Sequence, residues 1–460
     1  MIKLRFISPL VLITALTLPC FGCAPQRDCK FIFQSTSSDP IIPEAFGVNI
    51  DFTEPRPGEM KMLAEAGFRW VRMDLKWEAT EKEPGRYDFS TYDVLIASLE
   101  PYNIHALFIL DYGNPLYDNG APPRTEVTRQ AFARWAVAAA RHFAGRGALW
   151  EVYNEPNHSM FWPPQPNPQE YVALALAVGR AFRQSAPEEK LIGPATSEID
   201  FEFLEECFKA GLLEYWSAVS IHPYRRTDPE TAARDYCRLR EMIRSYATKR
   251  SGSGNDQVSG AVQGQLNAGT TDMKETPIIS SEWGYSSAWP RMSDQKQGQL
   301  LARAWLTNVA NGISLSIWYD WHDDGVDPNE PEHHFGTVSN AYQKGREPVY
   351  DTKPAYQAAK NLTTFFNGYR FEKRVEVGAA EDYLLVFRKA GSQAEPPGND
   401  SGGDRRYAAW TTTSEAHTVL IPLYAGQFKI IGYDGQDKGS LTADQKGTAV
   451  TLTNAPVYFR

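Results

Sequence analysis

The sequence predicts a (β/α)8 barrel followed by a C-terminal antiparallel β-sandwich, on three observations. Between residues 44 and 366, short apolar runs alternate with longer segments of helical periodicity. Parallel strands joined by helices need right-handed crossovers, and about eight such units in 250 or more residues most simply close into a barrel. After residue 366 the pattern changes to short β-rich runs separated by Gly, Asp and Asn, which is typical of a sandwich.

The predicted barrel strands are apolar runs bounded by polar residues, glycine or proline: Ala45–Ile50, Phe68–Met73, Ile104–Leu110, Ala148–Tyr153, Leu191–Gly193, Ala218–His222, Pro277–Ser281 and Ile313–Tyr319. The intervening periodicity predicts helices at Glu59–Ala66, Arg124–Phe143, Pro168–Ser185, Phe201–Ala210, Asp228–Tyr246, Gln299–Ala310 and Pro354–Phe366. An open doubly wound sheet is the alternative. That fold favours a glycine-rich phosphate turn after the first strand, and this sequence has none there.

We expect the barrel to occupy residues 44–366 and the sandwich residues 367–460. The β-rich runs of the second domain are Tyr383–Arg388, Tyr407–Thr412, Thr418–Leu423 and Thr448–Leu452. Its aromatic residues can all be accounted for as core, so we expect this domain to brace the barrel.

The overall charge excludes one class of partner. The 460 residues carry a formal net charge of −9. Nucleic acid rewards a basic surface, so we expect no nucleic-acid partner. The acidic balance permits a neutral or cationic polymer as ligand but does not require one.

The N-terminus resembles an export signal. Lys3 and Arg5 precede the apolar stretch Phe6–Leu18, which suits a signal peptide and is short for a membrane span. The following small-residue run resembles a bacterial lipoprotein cleavage site with Cys23 as the acylated residue. We therefore expect residues 1–23 to be a signal peptide of an exported protein, either attached to the membrane through a lipid on Cys23 or simply secreted.

Three further cysteines follow the signal peptide: Cys29, Cys207 and Cys237, of which the last two fall on successive predicted helices. Their spacing matches no metal site, and an exported location permits a disulfide. We expect them either to pack in the core or to form one disulfide.

Polar and aromatic residues follow nearly every predicted strand. In a barrel the carboxyl ends of the strands gather on one face, which is where the active sites of this fold lie. The residues in question are Asn49 and Asp51, Arg72 and Asp74, Asp111 and Tyr112, Asn154 and Glu155, Thr196 and Ser197, His222 and Tyr224, Glu282 and Trp283, and Trp318, Asp320 and His322. The sequence therefore predicts a functional site on this face.

Two of these residues, Glu155 and Glu282, are carboxylates on opposite sides of the predicted mouth. Cleavage of a glycoside with retention needs one carboxylate as nucleophile and one carboxylic acid to protonate the leaving oxygen, about 5 Å apart. Repulsion between like charges would raise the pKa of one and leave the other ionised. We therefore expect Glu155 and Glu282 to converge over one sugar-to-sugar bond.

The motifs around these glutamates resemble those of the retaining glycoside hydrolases of the large (β/α)8 clan. More narrowly, they resemble family 39 and the bacterial endoglycosidases that trim biofilm exopolysaccharide. The motifs are Asn154-Glu155-Pro156, Ser281-Glu282-Trp283-Gly284, Gly67–Asp74, Glu83–Phe89, His222-Pro223-Tyr224 and Asp323-Asp324-Gly325. The resemblance implies a β-linked polysaccharide or oligosaccharide as substrate and no cofactor, with Glu155 as acid/base and Glu282 as nucleophile. It further implies Asn154 as partner of the sugar 2-hydroxyl, and His222 and Tyr224 as positioning groups for the nucleophile.

Other strand-end residues are candidates for substrate binding. Arg72 is placed to orient Glu282, and an ion pair with Asp74 is its competing use. Asp111 lies on the same rim. We expect Trp318 to form a floor for the sugar ring, because the C–H face of a pyranose packs on indole. Core packing is the alternative for any single tryptophan, but several others leave the same rim and favour a stacking groove: Trp162, Trp283, Trp289 and Trp321.

Two alternatives remain for the function. The first is a non-catalytic carbohydrate-binding or scaffold protein on an inactive barrel. The second is a metal-dependent hydrolase centred on the acidic loop Trp321–Phe335. The spacing of carboxylates in that loop does not reproduce a calcium-binding pattern, so we expect no metal. Glu151, inside the fourth strand, is expected to be structural.

Overall fold

The computed structural model describes residues 40–251, 275–392, 405–444 and 446–460. The predicted signal peptide at residues 1–23, including Cys23, lies outside these ranges, so export and lipid attachment stay predictions. Within the described ranges, none of the helices has the length and apolar content that crossing a bilayer requires.

Eight parallel strands close into a barrel in which each strand pairs with its neighbours in sequence and the last returns to the first. The strands are β1 (Phe46–Asn49), β2 (Trp70–Lys76), β3 (His105–Asp111), β4 (Leu149–Val152), β5 (Lys190–Ser197), β6 (Ala218–His222), β7 (Ile278–Trp283) and β8 (Ser316–Trp318). The predicted barrel is confirmed. β5 extends beyond its predicted end at Gly193, with a register shift between Pro194 and Thr196.

The helices that follow these strands are α1 (Glu59–Glu65), α2 (Ser90–Leu99), α3 (Glu126–His142), α4 (Pro168–Ser185), α5 (Phe201–Lys209), α6 (Ala232–Ser251), α7 (Asp294–Ala310) and α8 (Pro354–Phe365). α2 is not among the predicted helices, although its buried residues have helical spacing: Tyr92, Leu95, Ile96 and Leu99. α7 begins before the predicted Gln299 because Ser293 caps it, accepting a hydrogen bond from the Lys296 amide at 3.2 Å.

The inner face of the barrel is apolar at one level and polar above it. Its apolar level is a separate cluster of buried residues: Leu107, Leu149, Ile192, Ala218, Ile279, Leu315 and Ile317. Side chains alternate along a strand, so Glu151, two residues beyond Leu149, faces the same interior nearer the carboxyl ends. Apolar side chains therefore fill the barrel interior away from its mouth. The polar level, nearer the carboxyl ends of the strands, forms the floor of the mouth.

The C-terminal part consists of antiparallel strands β9 (Tyr369–Val375), β10 (Asp382–Lys389), β11 (Arg405–Thr411), β12 (His417–Ile421), β13 (Gly426–Gly432), β14 (Asp437–Ala443), β15 (Thr448–Leu452) and β16 (Val457–Phe459). Six form one sheet in the order β9-β10-β11-β16-β13-β14, and β12 pairs with β15. Leu385 and Phe387 belong to the core shared with the barrel, whereas Leu384 and Val386 belong to the core of the sandwich. One face of the sheet thus packs against the barrel, as expected for a bracing domain.

Cys207 is a free and fully buried thiol on α5. It therefore forms no disulfide with Cys237 and packs in the core, whereas Cys237 takes part in a disulfide.

Candidate active site

Glu155 and Glu282 face each other across the mouth of the barrel. One oxygen of each and a ring nitrogen of His222 all lie within 4.8 Å of one another. Retaining glycosidases hold their two carboxyl groups about 5–5.5 Å apart, whereas inverting enzymes need about 6.5–9.5 Å. Both side chains are largely shielded from water, with 11% and 13% exposed for Glu155 and Glu282. The pair therefore has the spacing that a retaining mechanism requires.

Local irregularities of the backbone aim both glutamates inward. Between β7 and β8 the register changes from Ser280 beside Ser316 to Trp283 beside Trp318, so β7 carries one extra residue. Such a bulge re-aims the side chains beyond it, and here Glu282 turns toward the axis. After β4, Tyr153 and Glu155 adopt left-handed φ angles of 69° and 42°. This conformation is uncommon for non-glycine residues, and the surrounding structure must hold it in place.

Arg72 of β2 connects the residues of the site. Its guanidinium group donates to Glu151 at 2.7 Å and to Glu282 at 2.6 Å. It also donates to the side-chain oxygens of Asn154 at 2.7 Å and Asn49 at 3.3 Å. Arg72 is 1% exposed, and its charge is compensated by the two carboxylates. The sequence left an ion pair between Arg72 and Asp74 open. In the structure Arg72 pairs with Glu151 and Glu282 instead.

His222 of β6 lies between Arg72 and Glu155. Its Nε2 is 3.2 Å from an Arg72 nitrogen, and its Nδ1 is 2.9 Å from Glu155 Oε1. Because a guanidinium group only donates, Nε2 must accept, and the ring hydrogen therefore sits on Nδ1 and is donated to Glu155. The contact with Glu155 differs from the expectation that His222 positions Glu282.

Tyr224 contacts Glu282, as the sequence suggested, and Asn154 contacts Arg72. The hydroxyl of Tyr224 donates to Glu282 Oε1 at 2.8 Å, so the two oxygens of Glu282 are held by Tyr224 and by Arg72. The side-chain oxygen of Asn154 faces Arg72. Its NH2 group consequently points away from Arg72, where it is available as a donor.

The electrostatics of the site favour charged carboxylates. Burial raises the pKa of Glu155, but the hydrogen bond and charge of its neighbours, His222 first, outweigh burial and hold the pKa below its ordinary value. Burial also raises the pKa of Glu151, but the charge of its neighbours, Arg72 first, outweighs burial and lowers this pKa. Burial and the charge of Glu282 raise the pKa of Tyr224 well above its usual range, so Tyr224 stays a donor.

The predicted tryptophan platform is wrong. Trp283 and Trp318 are 2% and 1% exposed, and they pack against Tyr285 at ring distances of 6.0 and 6.3 Å. Trp162 and Trp321 are buried in the same way, whereas Trp289 is partly buried. Loops from neighbouring strands cover these indole rings, which the sequence alone does not reveal.

A partly buried aromatic pair lies beyond the ends of two strands, and sequence reasoning named Tyr112 but missed its partner Phe161. The rings of Tyr112, after β3, and Phe161, after β4, stack at 5.7 Å with an interplanar angle of 11°. Tyr112 lies close enough to Glu282 for that charge to contribute to its raised pKa, after burial and the nearer aspartates. Position after a strand end was the available signal for Tyr112; no comparable signal marks Phe161.

Two groups of side chains among the described residues have the spacing of metal ligands. One is Glu155, His222 and Glu282, which are already joined through Arg72. The other is Asp51, His322 and Asp324, in which Asp51 and His322 form an ion pair at 3.3 Å. Each group is thus explained without an ion, and the expectation of a metal-free site stays a prediction.

Solved structures of similar fold include several glycoside hydrolases. A family 39 glycoside hydrolase from Bacteroides cellulosilyticus WH2 matches 91% of this chain and 81% of its own, with a TM-score of 0.72 and 23% identity. A monomeric β-xylosidase from Caulobacter crescentus CB15 matches 93% of this chain and 97% of its own (TM-score 0.59, 16% identity). A family 30 subfamily 8 xylanase from Clostridium acetobutylicum matches 92% and 96% (TM-score 0.58, 11% identity).

The match in sequence is shorter. A 6-phospho-β-glucosidase from Dickeya chrysanthemi is 28% identical over 124 residues, which is 25% of this chain and 27% of the relative. The match thus spans about a quarter of that protein. No family model matches the chain. The fold resemblance drawn from the sequence is confirmed: the chain shares its barrel and C-terminal part with these solved structures over more than nine-tenths of its length.

Proposed function

We propose that this protein is a retaining glycoside hydrolase that cleaves a β-linked polysaccharide or oligosaccharide by double displacement. The spacing of Glu155 and Glu282 carries the proposal. In the first step Glu282 attacks the anomeric carbon while Glu155 protonates the leaving oxygen, so that a glycosyl ester forms on Glu282. In the second step Glu155, now a carboxylate, removes a proton from water, which attacks the same carbon and releases Glu282.

The surrounding residues support these roles. Arg72 and Tyr224 each donate to one oxygen of Glu282, which fixes the orientation of this side chain for attack. Glu155 accepts a hydrogen bond from His222 and, among the described contacts, none from Arg72; because its pKa lies below the ordinary value, it acts as the acid in the protonated fraction of the protein. Asn154 precedes Glu155 in the chain, and its NH2 group, which points away from Arg72, is suited to bind the 2-hydroxyl of the sugar, a contact that strengthens in the transition state.

For the substrate, we propose internal cleavage of a bacterial exopolysaccharide. The motif resemblance to endoglycosidases of that class supports the proposal, and the acidic chain permits a neutral or cationic polymer. Screening purified protein against exopolysaccharides and plant glycans, with product size as readout, tests it. A ladder of intermediate sizes supports internal cleavage, and release of single sugars alone contradicts it.

The catalytic assignment is tested with Glu155→Gln and Glu282→Gln, which keep size and lose the charge. We expect each to lose nearly all turnover while thermal unfolding stays close to that of the unchanged protein. Glu188→Gln, at an exposed position, is the matched control and should keep full activity. Full activity of the double variant Glu155→Gln/Glu282→Gln on an aryl β-glycoside would overturn the assignment.

Chemical rescue separates the two roles. Azide in a Glu282→Ala variant should attack directly and give an azide product of inverted configuration. In a Glu155→Ala variant azide replaces water on the glycosyl-enzyme, so the product configuration is retained. A retained product from the Glu282→Ala variant and an inverted product from the Glu155→Ala variant would exchange the roles of the two glutamates.

A non-catalytic carbohydrate-binding protein is the remaining alternative. It would bind a glycan tightly and generate no new reducing ends during long incubation. The presence of both glutamates at catalytic spacing favours the enzyme.

Export with a lipid on Cys23 also belongs to this proposal. Cys23→Ala should then move the protein from the membrane fraction to the soluble fraction.

A further inference from the structure

Asp74 and Asp111 meet at the mouth of the barrel, above the network of Arg72. Arg72 reaches into the interior, so Asp74, two residues further along β2, faces the same way and nearer the opening. Asp111 ends β3 and shares the inward orientation of Leu107, which lies at the apolar level of the barrel. The two aspartates therefore lie on paired neighbouring strands and point toward the barrel interior near its mouth.

The contact between these carboxyl groups requires a proton. Asp111 is 0% exposed, and no N–H or hydroxyl of the described residues donates to either of its oxygens. Its side chain is instead within hydrogen-bonding reach of Asp74. Two carboxylates only accept, so a hydrogen bond between them exists only when one carries a proton. Burial first, and then the charge of Asp74, raise the pKa of Asp111 well above its ordinary value.

The cations nearby do not replace this proton. Arg72 lowers the pKa of Asp111, but its guanidinium group is engaged by Glu151 and Glu282. Lys76 lies 3.8 Å from Asp74, and its side chain is half exposed. The other titratable groups that sense the charge of Asp111 are tyrosines, which stay neutral: Tyr92 of α2, Tyr112 and Tyr153.

We propose that Asp111 holds a proton against Asp74 and that Asp74, oriented by this contact, binds adjacent hydroxyl groups of a neutral sugar next to Glu282. Asp74 is the member that touches the ligand, since its side chain is 30% exposed whereas Asp111 is enclosed. The pair carries one negative charge and accepts from sugar hydroxyls. A uronate or sulfated sugar in this place would be repelled. The inference rests on the proposed glycosidase function and names its substrate class.

Substrate discrimination tests the ligand. We compare the neutral aryl β-glycoside that the protein hydrolyses fastest with its C6-carboxylate analogue. Neutral substrate should be preferred by at least about tenfold in kcat/KM, since like-charge contact in a shielded pocket is costly. Asp74→Asn should raise KM for the neutral sugar and reduce this preference. Equal use of both substrates, or an unchanged KM in Asp74→Asn, would overturn the assignment.

The pH dependence tests the shared proton. Asp111→Asn keeps a donor toward Asp74 but cannot ionise, so the increase of KM at alkaline pH should flatten in this variant. Asp93→Asn, on the surface of α2, is the matched control and should keep the original profile. A merely structural Asp111 would leave the shape of the profile unchanged. The same profile in Asp111→Asn and the unchanged protein would thus contradict the proposal.

Thermal unfolding provides a readout that needs no activity. The unfolded chain releases the Asp111 proton above about pH 3.9, whereas the folded protein retains it. The stability contributed by this group therefore falls as pH rises from that value toward the raised pKa, and asparagine has no such loss. We expect the Tm of Asp111→Asn minus that of the unchanged protein to grow between about pH 4 and 7. A constant difference would refute the shared proton even if no glycoside is hydrolysed, so the two proposals fail separately.

Discussion

The guanidinium group of Arg72 joins Glu151 and Glu282 across the barrel, at 2.7 and 2.6 Å. Glu151 is fully buried in the interior of β4, and Glu282 lines the mouth. Arg72 thus links a structural carboxylate to the proposed nucleophile. The orientation of Arg72 depends on Glu151, a residue to which sequence patterns assign only a structural role.

Removing Arg72 should be costly for stability. Arg72→Met leaves two carboxylates in a shielded site without their cation, and breaking a buried ion pair in this way costs about 3–5 kcal/mol. We expect the free energy of unfolding to fall by this amount and hydrolysis to be lost. Chemical denaturation with a two-state analysis measures the first effect, and an aryl glycoside assay measures the second.

The double variant Arg72→Met/Glu151→Gln tests whether the cost comes from the orphaned charge. Once Glu151 is neutral, less uncompensated charge is buried, so the double variant should be more stable than the sum of the two single losses indicates. Additive losses would mean that Arg72 and Glu151 act independently.

Much of this arrangement follows from sequence patterns, and some of it does not. The eight strands and the polar residues at their ends are local features, so periodicity and position were enough to predict the barrel and to bring Glu155 and Glu282 to its mouth. The bulge that turns Glu282 inward depends on pairing between β7 and β8, which is not local. Exposure of Trp283 and Trp318 depends on how loops cover them, and this is why the platform prediction failed.

Tyr224→Phe should slow the reaction with little effect on folding. The hydroxyl donates to Glu282 at 2.8 Å, and a hydrogen bond to a charged group contributes about 1.5–3 kcal/mol. If that contribution acts on the transition state, kcat falls roughly ten- to a hundredfold. Tyr342→Phe is the control, since its hydroxyl donates to the Pro57 carbonyl at the surface. Unchanged kcat in Tyr224→Phe would show that Arg72 alone holds the nucleophile.

His222→Leu should move the alkaline limb of the pH profile upward. The hydrogen bond from His222 is the largest of the effects that lower the pKa of Glu155, so its removal raises that pKa. As general acid, Glu155 is active when protonated, and activity is lost as pH rises through its pKa. A higher pKa therefore shifts the loss of kcat/KM to higher pH. His142→Gln, at an exposed position on α3, should leave the limb in place, and a downward shift in His222→Leu would contradict the geometry.

The sandwich is anchored to the barrel through Trp410, whose indole N–H donates to Glu230 Oε1 at 2.6 Å. Glu230 also forms two hydrogen bonds of 2.7 Å with the fully buried Arg303 of α7. Trp410→Phe removes one donor to a buried carboxylate but leaves Arg303 in place. We expect a loss of about 1–3 kcal/mol in the free energy of unfolding.

Activity should survive Trp410→Phe at temperatures where the protein stays folded, because Glu230 lies outside the group around Glu155 and Glu282. The measurement is kcat below the unfolding transition, beside Tm. Tyr383→Leu tests the same anchor from its other side, since this ring stacks on Trp410 at 4.8 Å and should lower Tm likewise. A large drop of kcat with an unchanged Tm would instead assign the sandwich a direct part in substrate binding.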